Sequence, residues 1–314
     1  MRAIQVSKYL EGPEHIENLT PITLPDPEPK SDQYLIGIRA AATNFFDILQ
    51  VQGKYQGKLK YKVGDRVFGA SQGSYATKIC TTEDLLHKIP DSWTFEDAAG
   101  LYVTVPTSYA ALTIRANVKE KEWVLVHAGA GGVGLAAIQV AKALGAKVIA
   151  TAGTENKLKL CNSFGADYGV LYNDKSWTQE VLKLTGGRGV DVVYDPVGLV
   201  DLSMKCINWN GRILVIGFAG GSIEKVALNR VLLKNISLVG IHWGAYKKFE
   251  SQQIDPVWRG IFSLIEQGKF KPTVYGDRFI GLENVGKALK ALGNRETWGK
   301  VVVSIPEEEE RAKL

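Results

Sequence analysis

Short apolar runs recur along the 314 residues of the chain, and the spacing between them changes near residue 117. Up to about residue 110 the runs are brief and are separated by turns rich in proline and glycine, as at residues 24–29, which predicts a mainly β region. From about residue 117 to 246 the runs alternate with stretches of helical periodicity. They predict strands at residues 123–127, 147–152, 190–194, 212–216 and 237–241. This alternation is typical of an α/β fold with a doubly wound parallel sheet.

The pattern changes again after Pro256. It predicts a helix at residues 257–267, a strand near Arg278, a helix at residues 282–292 and a strand at residues 300–305. Because the parallel sheet already has its strands, we expect this tail to return to the first region. We therefore predict one domain from residues 1–112, completed by residues 256–314, and a second from residues 113–255.

A glycine-rich turn follows the first strand of the parallel region. Gly129, Gly131 and Gly134 lie between an apolar strand and an alanine-rich helix, which is the context of a dinucleotide-binding turn. Gly129 allows the tight turn, Gly131 lets the backbone approach a pyrophosphate, and Gly134 lets the helix lie against the strand. Gly132 and Val133 complete the predicted contact with the phosphates at the helix N-terminus. The alternative is a glycine-rich turn in another kind of α/β unit.

Composition narrows the class of protein. No apolar run is long enough to span a membrane, and the first residues resemble a strand rather than a signal peptide. The 3 cysteines and 4 histidines show no metal-ligand spacing, so we predict no metal. The net charge of +5 comes from scattered lysines, which makes nucleic acid an unlikely partner. We expect a cytoplasmic protein, with the peroxisomal matrix as alternative because Ala312-Lys313-Leu314 differs from Ser-Lys-Leu by one small residue.

Several segments together resemble one family. They are residues 41–49 (AATNFFDIL), 53–55, 63–69 (VGDRVFG), 103–112, 128–134, 194–198 (YDPVG) and 238–244. The chain resembles the zinc-independent medium-chain dehydrogenases/reductases, in the quinone oxidoreductase branch that includes zeta-crystallin. The resemblance implies a GroES-like catalytic domain made from both chain ends, a Rossmann-type domain between them, and a cleft for cofactor and substrate where they meet.

The end of the second strand predicts the cofactor. An acidic residue there would bind the ribose of NAD, whereas a basic group accepts the 2′-phosphate of NADP. This strand ends at Gly153 and Thr154 without an acid, and Lys157 follows, so we predict NADPH. By resemblance, Tyr172 lies near the same phosphate. The alternative is that Lys157 is an ordinary surface lysine that does not contact the cofactor.

The resemblance also assigns catalytic roles. It implies that Asn44 lies by the nicotinamide ribose and the substrate, and that Thr107 lies near the nicotinamide ring. Tyr55 is the best phenol for the mouth of the cleft. The alternatives are a turn-capping amide for Asn44 and a half-buried strand residue for Tyr55. Further cofactor contacts are expected at the ends of two later strands and in the tail, at Gly217, Phe218, Ala219, Ile241, His242, Trp243 and Lys300.

These features predict an NADPH-dependent quinone oxidoreductase that works without metal. The alternatives are a reductase of α,β-unsaturated carbonyls or enoyl thioesters, and an NADPH-binding protein with little turnover. The interval between Tyr55 and Gly64 is shorter than in the family, which predicts an open cleft suited to bulky planar quinones. The apolar strand at residues 238–243 is an edge that must be paired or covered, and the resemblance implies that it pairs with its copy in a homodimer.

Overall fold

The computed structural model describes residues 1–5, 19–29, 34–43, 61 and 64–306. The chain divides into two compact units, Met1–Val103 with Pro272–Leu314 and Thr104–Lys271. The sequence predicts divisions after residues 112 and 255, whereas in the structure residues 104–112 and 256–271 belong to the second unit. The physical reason is close helix packing: Tyr109 lies so near Gly260 that a Cβ at this glycine would overlap the phenol.

Short strands form most of the first unit. They are β1 (Arg2–Ala3), β2 (Ile22–Thr23), β3 (Tyr34–Gly37), β4 (Ala40–Ala42), β5 (Val67–Gly69), β6 (Lys78–Thr81), β7 (Leu86–Lys88), β14 (Phe279–Ile280) and β15 (Val302–Ser304). Strand β1 pairs with β2, β3 with β6 and β5 with β7, while β14, β15 and β4 form a three-stranded sheet. The late strand β15 runs antiparallel to β4, with Val302 opposite Ala42. The C-terminal segment therefore completes the unit that the N-terminal segment begins.

Two helices pack into this first unit. Helix α1 (Phe95–Ala99) begins with a capping box between Thr94 and Asp97. Helix α10 (Val285–Gly293) follows a 3-10 turn at Leu282–Asn284, so the helix predicted from residue 282 starts as a tighter turn. Its buried side chains join β4 and β15 in one apolar cluster.

The second unit is an α/β sandwich around a parallel sheet. Its strands are β8 (Trp123–Val126), β9 (Lys147–Ala152), β10 (Tyr168–Leu171), β11 (Val190–Asp195), β12 (Ile207–Val215) and β13 (Ser237–Gly240). They are ordered β10-β9-β8-β11-β12-β13 across the sheet. Strand β12 starts earlier than predicted because Ile207 already pairs with Val190 before an irregularity in the register. The predicted Rossmann-type α/β fold is confirmed.

Helices surround this sheet. They are α2 (Thr104–Ala110), which continues as a π-helical turn at Ala111–Arg115, α3 (Gly132–Ala143), α4 (Glu155–Ser163), α5 (Trp177–Leu184), α6 (Val200–Ser203), α7 (Leu228–Lys234), α8 (Tyr246–Phe249) and α9 (Ile254–Glu266). Helix α9 begins before its predicted start at residue 257, because Pro256 lies in the first turn, where its missing N–H costs no hydrogen bond. No helix in the described ranges is long and apolar enough to cross a membrane.

The first strand of the second unit, β8, and the helix that follows it, α3, form part of the core of this unit. Val124, Leu125 and Val126 are completely buried, as expected of a central parallel strand covered on both faces. Helix α3 buries every residue from Gly134 to Ala141. Burial of a large aliphatic side chain contributes about 1.5–3 kcal/mol, so β8 and α3 hold the turn between them firmly in place.

Candidate functional site

The turn between β8 and α3 is shaped to admit a ligand at the helix N-terminus. Ala128 has a left-handed backbone (φ 46°), and Gly131 caps the helix without any side-chain hydrogen bond. A Cβ at Gly134 would lie 2.7 Å from the carbonyl oxygen of Gly129, so only glycine lets the helix pack here. A Cβ at Gly131 would meet only the Ala128 carbonyl oxygen, at 3.2 Å. The backbone of the turn is therefore open on its outer side, with the first N–H groups of a 12-residue helix beside it.

A second group of predicted residues meets at the ends of β9 and β10. Thr154 caps helix α4, its hydroxyl accepting the backbone N–H of Lys157 at 3.3 Å. A Cβ at Gly153 would lie 2.8 Å from the Tyr172 hydroxyl, and the Asn173 amide donates to the Gly153 carbonyl at 3.0 Å. The structure thus brings Gly153, Thr154, Tyr172 and the backbone of Lys157 together at the carboxyl edge of the sheet.

A cavity of about 370 Å³ lies where β12 and β13 end. It is lined by Val215, Ile216, Gly217, Phe218, Gly240, Ile241 and His242. Four predicted residues, Gly217, Phe218, Ile241 and His242, therefore share one cavity. The backbone N–H of Ala219 donates to the Pro196 carbonyl at 3.0 Å, which ties this loop to the loop after β11. Trp243 is not among the lining residues; its ring packs on Tyr246 with centroids 5.0 Å apart.

Comparison with known proteins identifies the family of this chain. The family described as zinc-binding dehydrogenase matches residues 132–258. Quinone oxidoreductase-like protein 2 of Rattus norvegicus is 35% identical over 327 residues, covering 96% of this chain and 91% of the relative. The chain belongs to the quinone oxidoreductase family of medium-chain dehydrogenases/reductases. The family predicted from the sequence is confirmed.

Solved members of the quinone oxidoreductase family have the same fold. Mycobacterial Rv1454c, solved as a complex with NADPH, is 30% identical, with a TM-score of 0.85, covering 97% of this chain and 100% of that one. Escherichia coli quinone oxidoreductase, also complexed with NADPH, is 27% identical, with a TM-score of 0.83 and coverage of 97% and 100%.

Three further residues predicted for the site, Asn44, Tyr55 and Lys300, do not belong to the second unit. Asn44 and Tyr55 lie outside the described residues, as does most of the short interval before Gly64. Lys300 belongs to the first unit, where it is buried and its ammonium donates to the carbonyl of Thr43. Among the described residues, no group of three or more His, Cys, Asp and Glu side chains is arranged to hold a metal ion.

Two buried polar groups that were not predicted as site residues lie at the ends of β8 and β11. The Asp195 carboxylate accepts the backbone N–H groups of Val197, Gly198 and Leu199 at 2.6–2.9 Å, and so shapes the loop after β11. His127, at the end of β8, is fully buried and bonds the hydroxyls of Thr151 (3.0 Å) and Ser203 (2.8 Å). Burial lowers the pKa of His127 to about 4, and the Asp195 charge only partly opposes this shift. The imidazole is therefore neutral at physiological pH.

Thr107 is linked to the glycine turn through its neighbour. It is half-buried on α2, next to Ser108, whose hydroxyl lies 2.9 Å from the carbonyl oxygen of Val133. Helix α2 has the sequence TVPTSYA, so Ser108 is one of several hydroxyl side chains and the sequence does not single it out. Its partners, distant along the chain, have no local pattern that reveals them.

Proposed function

We propose that this protein transfers hydride from NADPH to quinones without a metal ion. The glycine turn before α3 supports the proposal most directly, because its backbone surface is open and a Cβ at Gly131 would meet only the Ala128 carbonyl oxygen, at 3.2 Å. Membership of the quinone oxidoreductase family and the NADPH complexes of two relatives support it.

The residues of the second unit fit an extended dinucleotide. The N–H groups of Gly132, Val133 and Gly134 would hold the pyrophosphate beside the backbone of Gly131, whose own N–H donates to the Ala128 carbonyl at 2.8 Å. Gly129 would supply the tight turn. At the β9 and β10 ends, Gly153, Thr154, Lys157 and Tyr172 would hold the 2′-phosphate. The cavity with Gly217, Phe218, Ile241 and His242 offers space to the nicotinamide end. Ala219 and Trp243, next to Phe218 and His242 in the chain, would contact the cofactor beside it.

The chain's own groups would then orient the reactants. When bound, the nicotinamide supplies the hydride, and the protein has to hold it against the acceptor and exclude water. Thr107 would contact the nicotinamide ring, and Asn44 its ribose and the acceptor. A quinone needs no dedicated proton relay, because its reduced oxygens take protons from solvent or from one hydroxyl, for which Tyr55 is the candidate. Lys300 would act by supporting the segment that carries Asn44, through its bond to Thr43.

NADPH oxidation against a panel of acceptors tests this function. Because the short interval between Tyr55 and Gly64 is expected to leave the acceptor site open to bulky planar molecules, phenanthrenequinone should react faster than small benzoquinones or short enones. Faster turnover of short enones than of every quinone would favour the enone or enoyl reductase. NADPH binding without oxidation by either class would favour the binding-only alternative.

We also propose that the protein is a homodimer joined through the second unit. Strand β13 pairs only with β12 among the described strands, so its other edge is open to a second copy. Helix α7, which leads into β13, has no buried residue, and Leu228 and Leu232 are 73% and 78% exposed one turn apart. Such a stripe next to an open edge suits an isologous twofold contact.

A further inference from the structure

Two buried hydroxyls join three segments of the second unit. Tyr194, in β11, is completely buried, and its hydroxyl oxygen lies 2.8 Å from the hydroxyl oxygen of Ser108 in α2. Ser108 is also completely buried, and its hydroxyl lies 2.9 Å from the carbonyl oxygens of both Thr104 and Val133. The pair therefore connects the central strand β11, helix α2 and the first turn of α3.

The direction of these hydrogen bonds follows from counting protons. Each hydroxyl has one proton, and a buried hydroxyl whose proton has no acceptor is strongly disfavoured. If Ser108 donated to Tyr194, the phenol proton would lose its acceptor and neither carbonyl would receive a proton from Ser108. Tyr194 therefore donates to Ser108, and Ser108 donates to the carbonyl of Val133 or Thr104. Burial raises the pKa of Tyr194, so the phenol keeps the proton that this chain of bonds requires.

The three joined segments are those that carry the proposed cofactor contacts. Ser108 follows Thr107, Val133 lies inside the glycine turn, and Tyr194 precedes Asp195, whose carboxylate shapes the next loop. We propose that Ser108 and Tyr194 are positioning residues for hydride transfer, which keep the helix of Thr107 aligned with the glycine turn. This inference rests on the proposed function, because it assumes that the glycine turn and Thr107 contact the same nucleotide.

Three variants separate positioning from stability. Ser108→Ala leaves the buried phenol without an acceptor, whereas Tyr194→Phe removes the donor and leaves Ser108 bonded to its carbonyls. The double variant lacks both hydroxyls, so it loses the tether to Val133 without leaving a buried proton unpaired. The double variant should therefore melt at a higher temperature than Ser108→Ala alone. Thr185→Val is the matched control, because Thr185 is also a buried hydroxyl bonded to the carbonyl four residues earlier, at the end of α5.

The decisive experiment compares single-turnover hydride transfer with NADPH affinity in the double variant. We expect the rate with phenanthrenequinone to fall roughly tenfold, because small misplacement of reacting groups is costly. We expect the Kd of NADPH to stay within about twofold of the parent, because the phosphate contacts of the turn are backbone groups. Thr185→Val should lower the melting temperature and leave the hydride-transfer rate unchanged.

Distinct results would overturn this inference and the proposed function. An unchanged rate in a folded double variant, or a loss of rate matched by an equal loss of NADPH affinity, would overturn the positioning role alone. A parent that oxidises no NADPH would overturn the proposed function. In that case amide exchange still decides: NADPH should slow exchange in residues 104–110 of the parent more than in the double variant, and equal protection in both would refute the link.

Discussion

Replacement by alanine should have different effects at two glycines of the same turn. Gly134→Ala should destabilise the fold, whereas Gly131→Ala should weaken the binding of NADPH. At Gly134 an alanine Cβ would lie 2.7 Å from the Gly129 carbonyl oxygen and 2.8 Å from the carbonyl carbon, and it would also press on the Ala128 carbonyl. Ordinary contact distances begin near 3.4 Å, so helix α3 would have to retreat by about 0.7 Å or more from a completely buried strand. Overpacking against rigid backbone of this kind costs about 1–3 kcal/mol.

The same change at Gly131 requires a shift of only a few tenths of an ångström. Its backbone is extended (φ −78°, ψ 168°), which alanine adopts readily, and the nearest atom lies 3.2 Å from the position that the methyl group would take. The methyl group would instead occupy the surface on which the pyrophosphate is proposed to lie. Loss of even one charge-assisted hydrogen bond to phosphate corresponds to about 1.5–3 kcal/mol, or roughly a 10- to 100-fold weaker Kd.

Thermal unfolding and NADPH titration together measure both effects. Gly134→Ala should lower the melting temperature by several degrees, since about 1 kcal/mol corresponds to roughly 2–4 °C in a protein unit of this size. Gly131→Ala should melt close to the parent and bind NADPH at least about tenfold more weakly. Parental NADPH affinity in a folded Gly131→Ala variant would show that the nucleotide lies elsewhere, and a parental melting temperature for Gly134→Ala would contradict the packing argument.

The remaining predictions concern cofactor choice, pH and assembly. Lys157→Glu should erase the preference for NADPH over NADH, a loss of roughly 10- to 100-fold in relative affinity, whereas the exposed neighbour Lys159→Glu should change it little. Unchanged discrimination in Lys157→Glu would refute the assignment. The unfolded chain protonates His127 near pH 6.5, whereas burial lowers its pKa to about 4 in the folded protein, so its contribution to stability is present above pH 6.5 and is lost as the pH falls towards 4. Between pH 7 and 4.5, denaturant unfolding should show the free energy of unfolding falling by about 2 kcal/mol on account of His127, and this loss should be smaller in His127→Gln. An identical pH slope in both proteins would contradict this. Leu232→Glu, at a position that is 78% exposed, should convert the homodimer to a folded monomer in light scattering, and a monomeric parent at micromolar concentration would refute the dimer.

Parts of this fold that depend on local pattern were predictable from sequence. The run from Trp123 to Gly134 predicts a buried strand, a tight turn and a buried helix because apolar and small residues leave that segment few other arrangements. Element ends were predicted less well. Helix α9 starts before Pro256 because a first-turn proline costs nothing, and the division between the units moves because Tyr109 packs on Gly260.

The residues proposed to contact the cofactor were predictable from the sequence, but the buried contacts that support them were not. The glycines, and the lack of an acid at the two positions directly after β9, Gly153 and Thr154, are visible in the sequence. The structure brings Gly153 close to Tyr172, 19 positions later in the chain. The contact between Ser108 and Tyr194 joins residues 86 positions apart, on a helix and a strand. No periodicity encodes such a pair, because it arises only when both elements have packed on the same core.

The most direct test of the central claim is a single-turnover reaction of the protein with NADPH and phenanthrenequinone, followed at the nicotinamide absorbance. We expect that one NADPH is consumed for each hydroquinone formed, that NADPH deuterated at the transferred position reacts more slowly, and that NADH reacts far less efficiently at equal concentration. NADPH that binds but is not oxidised by this quinone, or that reacts no faster than NADH, would contradict it.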